Sequence, residues 1–87
     1  MNDTTEIDEK FIKADASLDC FGLLCPMPIV KTAKMVVELE IGQVLEIMAT
    51  DEGIKEDMPA WCEATGNEFV GVREANGEYH VFVRRLV

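Results

Sequence analysis

Two prolines separated by one residue, Pro26 and Pro28, constrain this chain more than any other local feature. A proline inside a helix removes a backbone hydrogen bond and clashes with the preceding turn, so this pair excludes a helix interior at that point. In the first turn of a helix the same residues are well tolerated, because the N–H groups there have no intrahelical acceptor. The pair therefore predicts the start of a helix.

The segment from Pro28 to Glu40 has the apolar spacing of a helix that packs on one side. Five apolar residues fall within an arc of about 120° at 100° per residue: Ile29, Val30, Ala33, Val36 and Val37. Lys31, Lys34 and Glu38 occupy the opposite side. Gly42 marks the expected end of the helix, and we expect the five apolar residues to face the core.

A second helical pattern follows the turn residues Asp51 and Gly53. Its apolar positions share an arc of about 100°: Ile54, Met58, Trp61, Cys62 and Thr65. With Asp57 as the N-cap, Pro59 falls in the first turn of this helix, where a proline is tolerated. Gly66-Asn67 predicts the C-terminal stop.

Four segments with the pattern of strands complete the chain: Ala14–Cys20, Gln43–Thr50, Glu68–Glu74 and Tyr79–Arg85. Asn76-Gly77, between the last two, is a strong signal for a tight hairpin turn. The order β-α-β-α-β-β predicts an α+β two-layer sandwich with two helices on one face of a mixed four-stranded sheet. We assign residues 14–87 to this single domain and residues 1–13 to a flexible acidic lead-in.

The charge balance argues against several classes of function. Eight basic and 17 acidic side chains give a net charge of −9, whereas direct nucleic-acid binding depends on clustered Lys and Arg. No segment approaches the roughly 20 apolar residues of a membrane span, and the polar N-terminus does not resemble a signal peptide. Three cysteines, an odd number, fit a reducing compartment. We expect a cytoplasmic, monomeric protein with protein partners, no membrane association and no cofactor.

Cys25 precedes the first proline, and this position predicts a reactive thiol. A residue before proline is pushed towards the extended backbone angles of an N-cap, so we expect Cys25 to cap the first helix. With prolines at the first and third helical positions, the Met27 N–H is the donor left to point at the Cys25 sulfur. The positive end of the helix dipole is then expected to favour the nucleophilic thiolate. The alternative is an ordinary small apolar residue beside a rigid turn.

The other two cysteines and the histidine allow further interpretations. Cys20 is either a resolving thiol that forms a disulfide with Cys25 or a small residue at the end of a strand. Cys62 lies on the Trp61 side of the second helix and is expected in the core. His80 is expected on the sheet face opposite its apolar neighbours, and no base role can be assigned to it. A metal site built from the thiols and His80 is not expected, because no close Cys-x-x-Cys pair exists.

Met27, Lys31 and Lys34 form a predicted exposed patch next to Cys25. Met27 and Lys31 are four residues apart and are therefore neighbours on one face of the helix. The patch is either an ordinary solvated surface or a docking surface, on which an adaptable methionine and two cations meet a protein partner.

The stretch Leu-Asp-Cys-Phe-Gly-Leu-Leu-Cys-Pro-Met-Pro, from Leu18 to Pro28, resembles the signature of the TusA/SirA/YedF family of small sulfur-carrier proteins. The hallmark of that family is Cys-Pro-x-Pro at the start of the first helix. The resemblance continues through Gly42–Thr50, Asp51–Gly66 and the final hairpin, so it covers nearly the whole chain after residue 14. It implies a two-layer sandwich of the same β-α-β-α-β-β order.

The resemblance further implies that Cys25 accepts a sulfane sulfur as a persulfide and passes it to another protein. Donors in the family include cysteine desulfurases and rhodanese-type sulfurtransferases, and relatives serve tRNA thiolation, sulfur oxidation or molybdenum-cofactor synthesis. This describes a sulfurtransferase-type carrier rather than a free-standing enzyme.

Leu24 and Met27 depart from some relatives, which have a basic residue before the cysteine and a charged residue between the prolines. The choice of partner is therefore open. Two other functions also stay open: a non-catalytic interaction or regulatory module, and a thiol redox protein that uses Cys20 and Cys25.

Overall fold

The computed structural model describes residues 13–87, and the predicted order of elements is confirmed. In chain order the elements are β1 (Ala16–Cys20), α1 (Met27–Val36), β2 (Val44–Ala49), α2 (Ile54–Thr65), β3 (Glu68–Ala75) and β4 (Glu78–Arg84). The predicted lead-in, residues 1–13, lies outside the described residues except for Lys13. Within residues 13–87, no helix is long and apolar enough to cross a membrane.

The four strands form one mixed sheet in the order β1-β2-β4-β3. β1 and β2 are parallel, which the helical crossover between them allows, and the other neighbours are antiparallel. β3 and β4 are joined through Asn76 and Gly77, whose φ angles of 54° and 78° are both positive. Positive φ at both central positions matches the twist of a two-residue hairpin, and the predicted hairpin is confirmed.

One face of the sheet and both helices enclose the hydrophobic core. Every second side chain of the central strands points into one buried cluster with residues of both helices. Its members from these elements are Leu45, Ile47, Ala49, Tyr79, Val81, Val83, Val36, Ile54, Met58 and Cys62. Glu46 and His80 lie on the opposite face, where Glu46 Oε2 and His80 Nδ1 are 2.7 Å apart. Both helices therefore pack on one face of the sheet, as predicted.

The buried face of α1 differs from the predicted one. Its buried residues are Pro28, Thr32 and Val36, which recur every fourth residue. The prediction was wrong for three of the five apolar positions, which are exposed: Val30, Ala33 and Val37. An arc drawn through apolar residues omits a proline and a threonine, although both are small enough to lie against a sheet.

The end of α1 also differs, because the helix stops at Val36 rather than at Glu40. The carbonyl oxygens of Val37 and Leu39 accept hydrogen bonds from the Arg85 guanidinium at 3.2 and 2.5 Å. These bonds satisfy carbonyl groups that a longer helix would have bonded internally. A side chain from beyond β4 therefore holds the segment that follows the helix.

The start of α2 is four residues earlier than predicted. The helix begins at Ile54 with Gly53 as its N-cap, so Asp57 is not the cap but lies in the first turn. The Gly53 N–H donates to Asp51 Oδ1 at 3.1 Å, which folds the preceding turn directly into the helix. Pro59 is consequently inside the helix rather than in its first turn.

The rest of α2 follows the prediction more closely. Gly66 adopts the left-handed conformation at φ 88°, and its N–H donates to the Cys62 carbonyl oxygen, so the predicted stop is confirmed. Ile54, Met58 and Cys62 are buried, as expected of the apolar stripe. Trp61 is half-buried and Thr65 is exposed, so the stripe is narrower than its predicted width.

Candidate functional site

The segments that surround Cys25 come together at one edge of the sheet. β1 and β2 are parallel, so their carboxyl ends lie side by side, with Cys20 paired in register with Ala49. Residues 21–26 leave β1 at this edge, next to Thr50 and Asp51, which leave β2. The carboxyl ends of parallel strands are where open α/β sheets bind their ligands.

Side chains that follow β2 hold the Cys25 loop in place. The Gly22 N–H donates to Thr50 Oγ1 at 3.0 Å, and the Cys25 N–H donates to Asp51 Oδ2 at 2.9 Å. The other oxygen of Asp51 accepts from Gly53. The hydrogen bonds from Cys25 and Gly53 to its carboxylate hold the pKa of Asp51 below its ordinary value. Asp51 therefore fixes the backbone of the cysteine and the start of α2 together.

The thiol of Cys25 is exposed and has a carboxylate partner. Its Sγ donates to Asp57 Oδ2 at 3.0 Å. This hydrogen bond is the largest cause that raises the pKa of Cys25; desolvation and the negative charges of Asp57 and Asp51 act in the same direction. The expectation that the helix terminus favours the thiolate was therefore wrong, because an acceptor in contact with the thiol stabilises its protonated form.

The predicted capping role of Cys25 is also corrected. Pro26 is the N-cap, α1 begins at Met27, and no side chain caps the helix. The Met27 N–H donates to the Leu24 carbonyl oxygen at 2.8 Å rather than to the Cys25 sulfur. The Cys25–Pro26 peptide bond is cis. Because the helix starts one residue later than expected, the sulfur lies beside the helix terminus and faces α2 instead.

A narrow cleft next to the sulfur joins these elements. It is lined by Cys25, Pro28, Ile29, Asp51, Ile54 and Asp57. Sequence reasoning missed both aspartates as site residues, since it assigned Asp51 to a turn and Asp57 to a helix cap. Both stand at the start of a helix that follows a strand parallel to β1. That placement is the signal from which their position at the same sheet edge could have been inferred.

The remaining sulfur and imidazole groups lie elsewhere. Cys20 and Cys62 are buried and unpaired, and burial is the main cause that raises the pKa of both, that of Cys62 to about 11. His80 is paired with Glu46 on the open face of the sheet. In the described part of the chain, no three His, Cys, Asp or Glu side chains are grouped as a metal site.

The exposed surface of α1 and of the loop before it combines apolar and basic side chains. Leu24 is 71% exposed, and Met27 is exposed at the first turn of α1. Lys31 and Lys34 are exposed on the same helix, so all three members of the predicted docking patch are accessible to a partner.

Comparison with known proteins agrees with this architecture. A family model described as Sulfurtransferase TusA matches residues 16–85. The sulfur carrier protein TusA of Allochromatium vinosum is 38% identical over 71 residues, which cover 82% of this chain and 93% of that protein. This chain belongs to the TusA family. The resemblance to the TusA/SirA/YedF family is thus confirmed.

Two further proteins are similar to this TusA-family protein, one in sequence and one in fold. The Bacillus subtilis protein YrkF is 54% identical over 67 residues, which make up 77% of this chain and only 36% of YrkF. The crystal structure of a SirA-like protein from Desulfitobacterium hafniense superposes with a TM-score of 0.72 at 22% identity, covering 83% of this chain and 99% of the other. The latter likeness concerns the fold, which is the α+β sandwich described above.

Proposed function

We propose that this protein is a sulfur carrier that holds a sulfane sulfur as a persulfide on Cys25 and relays it between a donor and an acceptor protein. The observation that carries the proposal is exposure: of the three cysteines in the chain, all of which the structure describes, only Cys25 is exposed. Membership of the TusA family, with relatives named sulfur carrier protein TusA, supports the same role.

The presentation of the thiol suits transfer between macromolecules. Its backbone is anchored through Asp51, while its sulfur lies at the surface next to the exposed Leu24 and Met27. A persulfide lengthens the side chain by one sulfur atom, which an exposed position accommodates without repacking the core. Partners can therefore reach the terminal sulfur at a defined position.

Recognition of partners is assigned to the patch of Met27, Lys31 and Lys34. Methionine adapts to differently shaped surfaces, and the two cations provide electrostatic attraction on a chain whose net charge is −9. Donors of the expected kind are cysteine desulfurases and rhodanese-type sulfurtransferases. Acceptors are proteins of tRNA thiolation, sulfur oxidation or cofactor synthesis.

A thiol redox function that uses Cys20 as resolving thiol has weaker support. Cys20 has no exposed surface, and burial raises its pKa, so its reactive thiolate is disfavoured. A disulfide with Cys25 would have to form at a sulfur that lies in the hydrophobic core. The carrier function uses only the exposed sulfur.

Mass spectrometry after sulfur loading tests the proposal. Reduced protein is incubated with a cysteine desulfurase and cysteine, and separately with a rhodanese and thiosulfate. We expect a mass increase of one sulfur atom, located on the peptide that contains Cys25, and its transfer to a second thiol protein on mixing. An unmodified protein under both conditions would reject the carrier function.

The matched variants are Cys25→Ser and Cys62→Ala. The first removes an exposed sulfur and is expected to abolish loading with an unchanged circular dichroism spectrum. The second removes a buried sulfur and should load like the unsubstituted protein. If Cys25→Ser lost no biological activity and bound the same partners, the interaction-module alternative would be favoured instead.

A further inference from the structure

We propose that Asp57 is the catalytic proton acceptor for Cys25 during sulfur loading. This inference rests on the proposed persulfide function and adds a second residue to it. Sγ of Cys25 and Oδ2 of Asp57 are 3.0 Å apart, within the range over which a general base takes a proton directly. The contact joins the loop before α1 to the first turn of α2, although the two residues are 32 positions apart in the chain.

The surrounding groups leave this role to Asp57. The two oxygens of the nearby Asp51 accept backbone N–H groups of Cys25 and Gly53. His80 is engaged with Glu46 on the other face of the sheet. Asp57 also lies at the N-terminal end of α2, where the helix dipole favours a negative charge. The site thus holds one positioning carboxylate and one carboxylate in contact with the sulfur.

Loading from a donor persulfide, R–S–SH, then proceeds without an external oxidant. As the Cys25 sulfur attacks the terminal sulfur of the donor, its proton passes to Asp57. A new S–S bond forms to the terminal sulfur, and the S–S bond of the donor breaks with both electrons leaving on the donor sulfur. The departing thiolate takes up a proton from water, and Asp57 releases one to water. The products are the Cys25 persulfide and the donor thiol.

The resting state of the site fits this order of events. Contact with Asp57 raises the pKa of Cys25, so the exposed sulfur is held as a thiol that reacts slowly with oxidants and alkylating agents. A thiol must lose its proton at the moment of attack, and the group that holds the proton also lies in position to take it. Discharge to a thiol acceptor is the chemical reverse, in which Asp57 returns a proton to Cys25.

Two reactions of the Asp57→Asn variant separate this role from a merely electrostatic one. Alkylation by iodoacetamide at pH 7 reports the thiolate and should become faster, because the charge that disfavours the thiolate is gone. Persulfide loading from glutathione persulfide at the same pH, followed by mass spectrometry, should become about tenfold slower or more. The loss of a positioned proton acceptor, which contributes about 10² or more to a rate, outweighs the gain in thiolate. The opposed changes are the signature of a proton acceptor.

The control is Glu56→Gln, which removes the same charge from the adjacent exposed residue of α2 and should change neither reaction by more than about twofold. Asp57→Glu keeps a carboxylate and should recover part of the loading rate. Loading of Asp57→Asn as fast as or faster than that of the unsubstituted protein would overturn the inference. Failure of the unsubstituted protein to load, while Cys25 is alkylated normally, would instead reject the carrier function itself.

Discussion

At the scale of single residues, the environment of Cys25 is a competition between a helix dipole and carboxylates. The terminus of α1 acts like about half a positive charge, but the sulfur is displaced from the terminus by one residue. Asp57 carries a full charge and accepts the hydrogen of the thiol at 3.0 Å. The nearer and larger charge dominates, since Coulomb energy falls with distance, and the thiol form is favoured.

Asp51 gives a prediction at the same scale. Its pKa lies below the ordinary 3.8 because its carboxylate accepts two backbone hydrogen bonds. A lowered pKa in the folded protein stabilises it above pH 3.8, and this contribution is lost as the pH falls through the folded-state pKa. We expect Asp51→Asn to lower the free energy of unfolding at pH 7 and to lower it less at pH 3, where the unfolded chain is already mostly protonated at this residue.

Urea denaturation at the two pH values measures this effect. Glu52→Gln is the matched control, because it removes one charge from the next, exposed residue and should leave the unfolding free energy nearly unchanged at both values. If Asp51→Asn lowered the free energy of unfolding by the same amount at pH 3 and at pH 7, the shape of the Asp51 side chain rather than its ionisation would stabilise the loop.

At the scale of elements, α1 shows how packing overrides an apolar pattern. The helix lies on the core through Pro28, Thr32 and Val36, and it turns Val30 and Val37 to solvent. Together with Met27, Val30 gives the N-terminal half of this helix an exposed apolar side. A pattern counted from apolar residues alone places that side in the core.

Neighbouring valines of α1 test this orientation. Val36 is 4% exposed and Val37 is 62% exposed. Val36→Ala should lower the free energy of unfolding by about 2 kcal/mol, because it removes two buried methyl groups and leaves a cavity. Val37→Ala should change it by less than about 0.5 kcal/mol, as is usual for surface substitutions. Chemical denaturation that gave equal losses for both variants would contradict the helix orientation.

At the scale of the whole molecule, the site is assembled by topology. Cys25 follows β1, whereas Asp51 and Asp57 follow β2, and their contacts with Cys25 span 26 and 32 residues of sequence. The parallel pairing of β1 and β2 brings both strand ends to one edge of the sheet. The helix that carries Asp57, α2, is held on the hydrophobic core through its buried residues Met58 and Cys62.

The buried Cys62 makes the stability of the molecule sensitive to alkaline pH. Burial raises its pKa from an ordinary 9.0 to about 11. Between these values the unfolded chain releases the proton while the folded protein retains it, so stability falls as the pH rises through this window. We expect the free energy of unfolding to decrease from pH 8.5 to pH 11 more steeply than in Cys62→Ala.

The comparison is made by urea denaturation across that range. All other titrating groups are common to the two proteins, so the difference between their slopes isolates Cys62. If the free energies of unfolding of the two proteins fell equally with pH, the raised pKa of Cys62 would be contradicted. The variant is also expected to be less stable at pH 7, because it leaves a small cavity in the hydrophobic core.

The sequence by itself determined the order of elements and identified Cys25 as the candidate site residue. Periodicity, the hairpin signal Asn76-Gly77 and the glycine stop at Gly66 act over a few residues, and all three depend on local backbone geometry. The Pro26 and Pro28 pair likewise excludes a helix interior and is tolerated in a first turn, for reasons local to the backbone. These features were predictable because their physical causes lie within one or two turns of chain.

Only the tertiary structure decided the chemical state of the site. Three contacts each join residues more than 25 positions apart: Asp57 with the Cys25 sulfur, Asp51 with the Cys25 backbone, and Arg85 with the Leu39 carbonyl after α1. No local pattern encodes such pairs, because they depend on strand pairing and on the rotation of helices on the sheet. Local sequence thus predicted that Cys25 would be presented, and packing determined that it is presented as a thiol beside a carboxylate.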